Sequence, residues 1–311
     1  MSYRLKLESL QAEKSAIDTL LNQASQWGDE IGKIQLARKK ELLEEKIANL
    51  LVSPDKNASI SLYFGGDPVL GSRGISAEFA GTALETFQEL VSRSYAKAEL
   101  GAIGERGPIP LKQATKLMVT SIAKGSFGFV LDELLDQSEI SDTPLKGIVE
   151  EVASLIEKAA SPNEIDFENV METLDARTLV SLKDLFVNLD KSSATFRILE
   201  EKFDYTLDHS SIARARRRTE STEIEEQEEL INASLEGFLP DHKKFEVRIN
   251  DELVYGSTTK QAADQFLGFV SNGESVIKQK WALKVLQKTI TPLNRPPRKT
   301  YKLLEFVRKL D

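Results

Sequence analysis

Two stretches of the sequence, Glu223–Phe238 (EIEEQEELINASLEGF) and Glu274–Ile290 (ESVIKQKWALKVLQKTI), decide the fold of the C-terminal third. Both have the composition of long β-strands. Three shorter stretches, Lys244–Asn250, Glu252–Thr258 and Thr300–Lys309, have it too, with one short helical segment among them. Five strands and a helix predict a small SH3-like or OB-like β-barrel over residues 223–311.

This predicted barrel ends in a strongly basic segment. Residues 273–311 contain ten lysines and arginines against three acidic residues, although the whole chain has a net charge of −8. Lys278, Lys280, Lys284 and Lys288 fall on alternate positions of one predicted strand, which would place them on a single face. Arg295, Arg298 and Lys299 follow in the next turn.

Two interpretations of this basic face remain open. It is suited to a nucleic-acid backbone or an acidic partner, as small barrels often are. Lysines on a strand also protect sheet edges from aggregation. Aromatic residues are sparse in this segment (Trp281, Tyr301 and Phe306), which favours contact with the backbone over base readout.

The segment before the barrel contains the densest basic run of the chain. It consists of Arg214, Arg216, Arg217 and Arg218, and a run of glutamates follows at once. Adjacent runs of opposite sign are typical of a solvated, partly self-paired connector, here residues 208–222. Arginine side chains also match phosphate geometry, so a nucleic-acid contact is the alternative.

Residues 1–55 have the apolar periodicity of helices, interrupted at Trp27-Gly28-Asp29. The pattern predicts a helical hairpin or a coiled-coil arm. We expect a protein partner or a second copy to bind through residues 1–52, or else the arm to pack on the body of the protein.

Residues 56–207 predict a central α+β domain. Ser59–Phe64 alternates like a half-buried strand, a helix runs to about Glu99, and Lys116–Ile122 with Phe127–Leu134 form a strand pair. A helical insertion follows over residues 144–190. The chain as a whole is therefore predicted to be α+β, with a helical arm, a central domain and a barrel.

A glycine-rich loop, Gly65–Gly74, lies between the first predicted strand and the following helix. Loops in this position can hold phosphates, and Gly71, Ser72, Arg73 and Gly74 are the candidate residues. The spacing matches neither a Walker loop nor a dinucleotide fingerprint. The alternative is an irregular connection with glycines at positive φ.

Composition removes several classes of enzyme. There are no cysteines and only two histidines, His209 and His242, so thiol nucleophiles, cysteine zinc sites and histidine-based hydrolases are disfavoured. We expect no catalytic residues, metal site or cofactor, although magnesium chemistry on carboxylates stays open. Neither a signal peptide nor a membrane-spanning run is recognisable, so we expect a cytoplasmic protein without membrane contact.

Several short motifs of the chain resemble motifs of other proteins. They include Leu62-Tyr63-Phe64-Gly65-Gly66, Phe87-Gln88-Glu89-Leu90-Val91 and Leu235-Glu236-Gly237-Phe238. This combination resembles uncharacterised bacterial proteins that are associated with mobile or phage-defence elements. The resemblance implies a role in antiviral defence, and no catalytic residues carry over from it to this chain.

The leading hypothesis is a non-catalytic interaction subunit, one component of a bacterial anti-phage complex. Its barrel would contact DNA, RNA or an acidic partner. One alternative is a magnesium-dependent nuclease or nucleotide-acting enzyme that uses the Gly65–Gly74 loop. The other alternative is a structural homo-oligomer.

Overall fold

A computed structural model describes residues 3–52, 56–101, 107–123, 127–134, 141–292 and 296–310. The chain divides into two compact units. The first unit comprises Met1–Tyr95, Leu111–Glu157 and Val187–Ile212, and the second comprises Ala96–Pro110, Lys158–Phe186 and Ala213–Asp311. The described residues confirm an α+β chain with a helical N-terminal arm and a C-terminal closed β-barrel.

The described part of the chain contains eight α-helices. Their bounds are α1 Tyr3–Trp27, α2 Glu30–Val52, α3 Ala77–Leu100, α4 Pro144–Ala160, α5 Glu164–Thr173, α6 Ala176–Lys191, α7 His209–Glu220 and α8 Lys260–Ser271. A 3₁₀ turn covers Lys112–Thr115. None of the described helices is long and apolar enough to cross a membrane.

Twelve strands occur in the same described ranges. Seven precede the barrel: β1 Ser59–Gly66, β2 Val69–Leu70, β3 Gly74–Ile75, β4 Met118–Ala123, β5 Phe127–Asp132, β6 Ala194–Leu199 and β7 Asp204–Leu207. Five form the barrel: β8 Glu223–Leu239, β9 Lys244–Ile249, β10 Glu252–Thr258, β11 Lys280–Thr291 and β12 Arg298–Lys309.

Helices α1 and α2 form an antiparallel hairpin. Ile17, Ala24 and Leu43 are buried along the seam between the helices. Gly28 allows the sharp reversal because its φ of +72° is costly for other residues. Asp29 then caps α2 by accepting a hydrogen bond from the amide of Gly32 over 2.9 Å.

The first unit is built on an antiparallel sheet in the order β4-β5-β1-β6-β7. Its central strand β1 is covered on both faces, since Leu62 and Phe64 are buried and so are Ser61 and Tyr63. The prediction of a half-buried strand is therefore wrong. After the helices, the chain returns to this sheet, because β6 pairs with β1 and β7 pairs with β6.

The second unit contains the closed barrel, in the order β10-β12-β11-β8-β9. All its neighbouring strands are antiparallel except β10 and β12, which pair in parallel at Ser257–Lys302 and Thr258–Leu303. Its core is rich in aromatic side chains, with Trp281 and Phe306 at its centre. Helix α8 lies between β10 and β11, and the hydroxyl of Thr259 caps it.

Candidate functional site

Helix α7 supplies three arginines to a cleft in the second unit. Arg214, Arg217 and Arg218 share a helix face because residues three and four apart are neighbours on a helix. Arg216 falls on another face and pairs with Glu220 at 3.2 Å. The basic run is therefore part of a helix, and its arginines lie on two different faces of that helix.

Helix α5 forms the facing wall of this cleft. Glu164, Glu168 and Glu172 recur at every fourth position, so the helix presents one line of carboxylates. Asn163 fixes where this helix begins, because its side chain accepts a hydrogen bond from the amide of Ile165 over 3.1 Å.

The barrel completes the cleft with Ile290 and Pro292 at the end of β11 and Arg298 at the start of β12. The cavity has a volume of about 470 Å³. This volume falls within the roughly 300–1,000 Å³ that is typical of ligand pockets. We call this site the arginine cleft. Its charged and polar lining is Glu164, Glu168, Glu172, Arg214, Arg217, Arg218, Ser221, Thr222 and Arg298, and its apolar lining is Pro162, Phe167, Met171, Ile290 and Pro292.

Two of the arginines hold the end of helix α4. Arg214 donates from Nη1 to the carbonyl of Ala160 over 2.7 Å, and Arg218 donates from Nη1 to the carbonyl of Ser161 over 2.6 Å. Cations stabilise the C-terminal end of a helix, where the last carbonyls have no partner within it. These two arginines therefore have a structural role.

Arg218 has two further contacts. Its Nη2 lies 2.6 Å from a carboxylate oxygen of Glu164, and its guanidinium lies 5.2 Å from the ring centre of Phe167. Phe167 is buried and is covered by this arginine, so it offers no ring for a base to stack on.

The other two arginines differ in their availability. Arg298 lies 3.3 Å from Glu168 and 3.1 Å from Glu172, and half of its side chain stays exposed. Arg217 is exposed, and its guanidinium makes no hydrogen bond or ion pair with any described residue. Four arginines against three glutamates leave the cleft with a net charge of +1. Arg214 also has no carboxylate partner among the described residues, but its guanidinium is held by the carbonyl of Ala160.

The lysines of the predicted basic strand do not share one exposed face, and that prediction is wrong. Lys278 precedes β11 and has a φ of +63°, so it lies outside the strand alternation. Lys284 pairs with Glu228 at 2.7 Å, and Lys278 pairs with Glu236. Lys280 alone among the four is exposed without a described ion pair.

Lys288 is buried and cannot contact a partner. Its ammonium group donates to the carbonyls of Met171, Glu172 and Leu174, where helix α5 ends. Burial lowers its pKa to about 7, and the positive charge of Lys97 contributes to the shift. Glu226, whose own pKa is raised by burial, opposes this shift.

The glutamates of β8 explain why β11 is not a cationic surface. β8 pairs with β11 along its length, so Glu226 lies opposite Lys288 and Glu228 lies opposite Leu286. The acidic run that follows the arginines in the sequence therefore lies beside the lysine strand in the barrel. Opposite charges on neighbouring strands attract each other and cancel much of the external field.

The exposed positive charge of β11 and β12 gathers at two separate ends. Lys280 and Arg308 lie at one end of the strand pair, and Arg298 and Lys299 lie at the other. Roughly ten residues separate the ends, which is about 30 Å at about 3.3 Å per residue. Since salt screens exposed charges over about 8 Å at physiological ionic strength, the two ends act independently.

Two residues of the predicted nucleic-acid-binding set remain, Lys299 and Arg295. Lys299 is exposed beside Arg298 at the start of β12. Arg295 lies outside the described residues.

The loop Gly65–Gly74 forms a small hairpin. β2 and β3 pair through Val69–Ile75 and Leu70–Gly74, and the amides of Arg73 and Ser76 donate to carbonyls within the loop. The Ser76 hydroxyl accepts a bond from the amide of Phe79 over 3.4 Å and caps α3. Gly71, Ser72 and Arg73 form an exposed turn.

Sequence reasoning missed the line Glu164, Glu168 and Glu172, although its four-residue spacing was visible. It also missed Tyr255, which is 76% exposed on β10. Alternation along β10 separates Tyr255 from the inward Val254 and Gly256, so this aromatic residue could have been recognised as outward-facing. Its ring lies on the outer surface of the β9–β10 hairpin.

Among the described residues, no group of three or more histidine, aspartate or glutamate side chains is arranged to hold a metal ion. Comparisons with known proteins find no matching family model, curated protein or solved structure.

Proposed function

We propose that the protein is a non-catalytic nucleic-acid-binding protein and that the arginine cleft contacts the phosphate backbone. The observation that carries this proposal is the convergence of four arginines from α7 and β12 on one cavity, where the guanidinium of Arg217 has no partner among the described residues. Guanidinium groups match phosphate oxygens in two-pronged hydrogen bonds.

The barrel supports the same function. Strands in the order β8-β9-β10-β12-β11, with a helix between the third and fourth strands, favour an OB-like over an SH3-like assignment. OB-like barrels bind oligonucleotides on the hairpin of their second and third strands and through the loop between their fourth and fifth. In this chain, that hairpin contains Tyr255, and Pro292 and Arg298 flank that loop.

The arginine cleft and Tyr255 have different roles in this proposal. Arg217, Arg298 and Lys299 supply sequence-independent attraction to phosphates. Tyr255 supplies a ring on which an unpaired base stacks, which favours single-stranded over double-stranded nucleic acid.

The experiment measures binding of fluorescent single-stranded oligonucleotides and matched duplexes by anisotropy at 50 and 200 mM salt. Three phosphate contacts predict a logarithmic salt slope of about −2 for a single strand, or a roughly 20-fold loss over this range. Combining Arg217→Ala with Arg298→Ala should reduce the slope by about two thirds. Tyr255→Ala should weaken binding about 10-fold and leave the slope unchanged, because stacking releases no counterions.

Arg216→Ala and Lys284→Ala are the matched controls, since both residues are paired and lie outside the cleft. Absence of binding at 50 mM salt, or equal effects of the cleft and control variants, would refute the proposal. Binding only to an acidic protein surface would replace nucleic acid as the partner.

The defence role stays a prediction, because it follows only from the resemblance of the short motifs. A plaque assay on cells with and without the gene tests it directly. Equal phage titres on the two strains would remove this part of the proposal.

A further inference from the structure

The helical hairpin α1–α2 has an apolar side that no described residue covers. Trp27 is 79% exposed and Ile31 is 72% exposed, one on each helix beside the turn. Leu20 and Leu42 are 48% and 51% exposed, each further from the turn on the same two helices.

Helical periodicity places these four residues on one side of the hairpin. Leu20 and Trp27 are seven residues apart, which is two turns of α1, and Ile31 and Leu42 are eleven residues apart, which is three turns of α2. Around each helix axis, the exposed pair is rotated in the same direction away from the buried seam residue, which is Ile17 in α1 and Leu43 in α2. Because the two helices are antiparallel, this rotation places both pairs on the same side of the hairpin.

Ion pairs between the helices mark the opposite side independently. Lys14 pairs with Glu44 at 2.9 Å, and Asp18 pairs with Lys40 at 2.7 Å. By the same periodicity, these four charged residues lie across the seam from Trp27 and Ile31. The hairpin therefore has a charged side and an apolar side.

The apolar side also contains uncharged small and amide residues. On α1 these are Ser9, Ala16 and Gln23, which continue the line of Leu20 and Trp27. On α2, Gln35 and Asn49 do the same, and two exposed cations, Arg38 and Lys46, also lie on that side. One ion pair, Glu13 with Lys39, borders this side close to the seam.

We propose that a second copy of this chain covers the apolar side, so that two hairpins pair as a four-helix bundle. A two-fold interface uses the same patch on both molecules, so the patch must be compatible with itself. The charges on this side are two cations, Arg38 and Lys46, and the Glu13–Lys39 pair, which is neutral as a whole. Pairing two copies through the line of Leu20, Trp27, Ile31 and Leu42 therefore brings few like charges together.

The size of the apolar side fits this occupant. From Ser9 to Trp27 the side is about 27 Å long, and two helices make it about 20 Å wide, so it covers roughly 540 Å² in projection. The accessible surface of side chains is larger than its projection. The area buried on two copies together therefore reaches the lower part of the range of 1,200–2,000 Å² that stable interfaces bury.

The first experiment is multi-angle light scattering on the full chain at 5–100 µM, a range spanning a dissociation constant of about 10 µM, typical of a modest interface. We expect the mass of a dimer at the upper concentrations. Changing Trp27, Ile31 and Leu42 together to Gln should raise the dissociation constant at least 100-fold. The matched control changes Leu267 and Val270 to Gln, two similarly exposed apolar residues of α8.

Crosslinking gives a second readout, because the chain has no cysteine of its own. Leu20→Cys and Ile31→Cys, tested singly under mild oxidation, should yield a disulfide-linked dimer in at least one case. Asn22 is exposed but lies toward the charged side, so Asn22→Cys should give no disulfide-linked dimer.

Three outcomes would overturn the inference: a monomer at 100 µM, a dimer that survives the triple change, or crosslinking as efficient at Asn22 as on the apolar side. Sedimentation of the monomer with lipid vesicles, lost in the triple variant, would assign the side to a membrane surface instead.

Discussion

The ammonium group of Lys288 on β11 donates a hydrogen bond to the carbonyl of Met171 on α5 over 2.6 Å. Two more carbonyls, those of Glu172 and Leu174, accept from the same group. A lysine from the barrel thus caps a helix outside the barrel, and it does so within the wall of the arginine cleft.

Replacing Lys288 with Met should destabilise the protein. Three carbonyl groups would lose their shared donor, and each unsatisfied buried group costs about 1–3 kcal/mol. Because the end of α5 is partly exposed and water replaces some of the bonds, we expect a total loss of about 1–3 kcal/mol in the free energy of unfolding. Urea denaturation measures it, with Lys280→Met as the control on the exposed part of β11. A loss of similar size in Lys280→Met would contradict the capping role.

The stability of the protein should depend on pH through Lys288. Its pKa is about 7 in the folded chain, against about 10.4 in an unfolded one. Between these values the unfolded chain binds more protons, so the free energy of unfolding rises with pH from about 7 to about 10. Lys302, whose pKa burial also lowers, contributes with the same sign.

Comparison with Lys288→Met isolates the part due to Lys288. Denaturation at pH 7, 8 and 9 should show a smaller rise in the variant than in the wild type. Equal slopes in both proteins would show that Lys288 does not titrate in this window.

Removing the glutamates that hold Arg298 should strengthen anion binding by the cleft. In a double variant, Glu168→Gln with Glu172→Gln, two negative charges are lost and Arg298 is released. A pair of unit charges at about 4 Å is worth about 1 kcal/mol in water, so we expect oligonucleotide affinity to rise roughly 5- to 30-fold at 50 mM salt. Glu220→Gln, on α7 beside Arg216, is the control. Unchanged affinity in the double variant would show that Arg298 does not contact the ligand.

Gly128 should not tolerate a side chain. A Cβ atom there would lie 2.5 Å from the ring of Tyr63, and Arg197 lies over the same ring at 5.6 Å. Asp204 fixes that arginine with bonds of 2.9 and 3.1 Å, so the ring has little room to move. We expect Gly128→Ala to lower the free energy of unfolding by about 1–3 kcal/mol.

Gly81→Ala is the control for Gly128→Ala, and it should have the opposite effect on stability. Apart from its chain neighbours and the backbone of its own helix, no atom lies within 4 Å of the added Cβ, and the position is an exposed part of helix α3. Alanine should stabilise the helix by up to about 1 kcal/mol, so the two variants should shift the melting temperature in opposite directions. A shift of the same sign in both would contradict the steric explanation.

Local pattern predicted those parts of the fold that depend on neighbouring residues. The strands of the barrel and the helical hairpin both follow from periodicity and residue preference within short segments. Arg214, Arg217 and Arg218 could be grouped for the same reason, since a helix brings residues three and four apart together.

Local pattern could not predict whether one or both faces of a strand are buried. Ser61 and Tyr63 point away from Leu62 and Phe64, as the alternation predicts, but both faces of β1 are covered. A strand pattern states which residues share a face, and it does not state what packs on that face.

The sequence alone determined the secondary structure, the barrel and the excess of positive charge near the carboxyl end, because each is set by residue type and short-range spacing. Tertiary structure decided where that charge can act. It placed the β8 glutamates beside the β11 lysines and α5 over Lys288, leaving Arg217 unpaired in a cleft. Electrostatic attraction and burial act between residues that are close in space, and those residues are more than a hundred positions apart in the chain for Lys288 and α5.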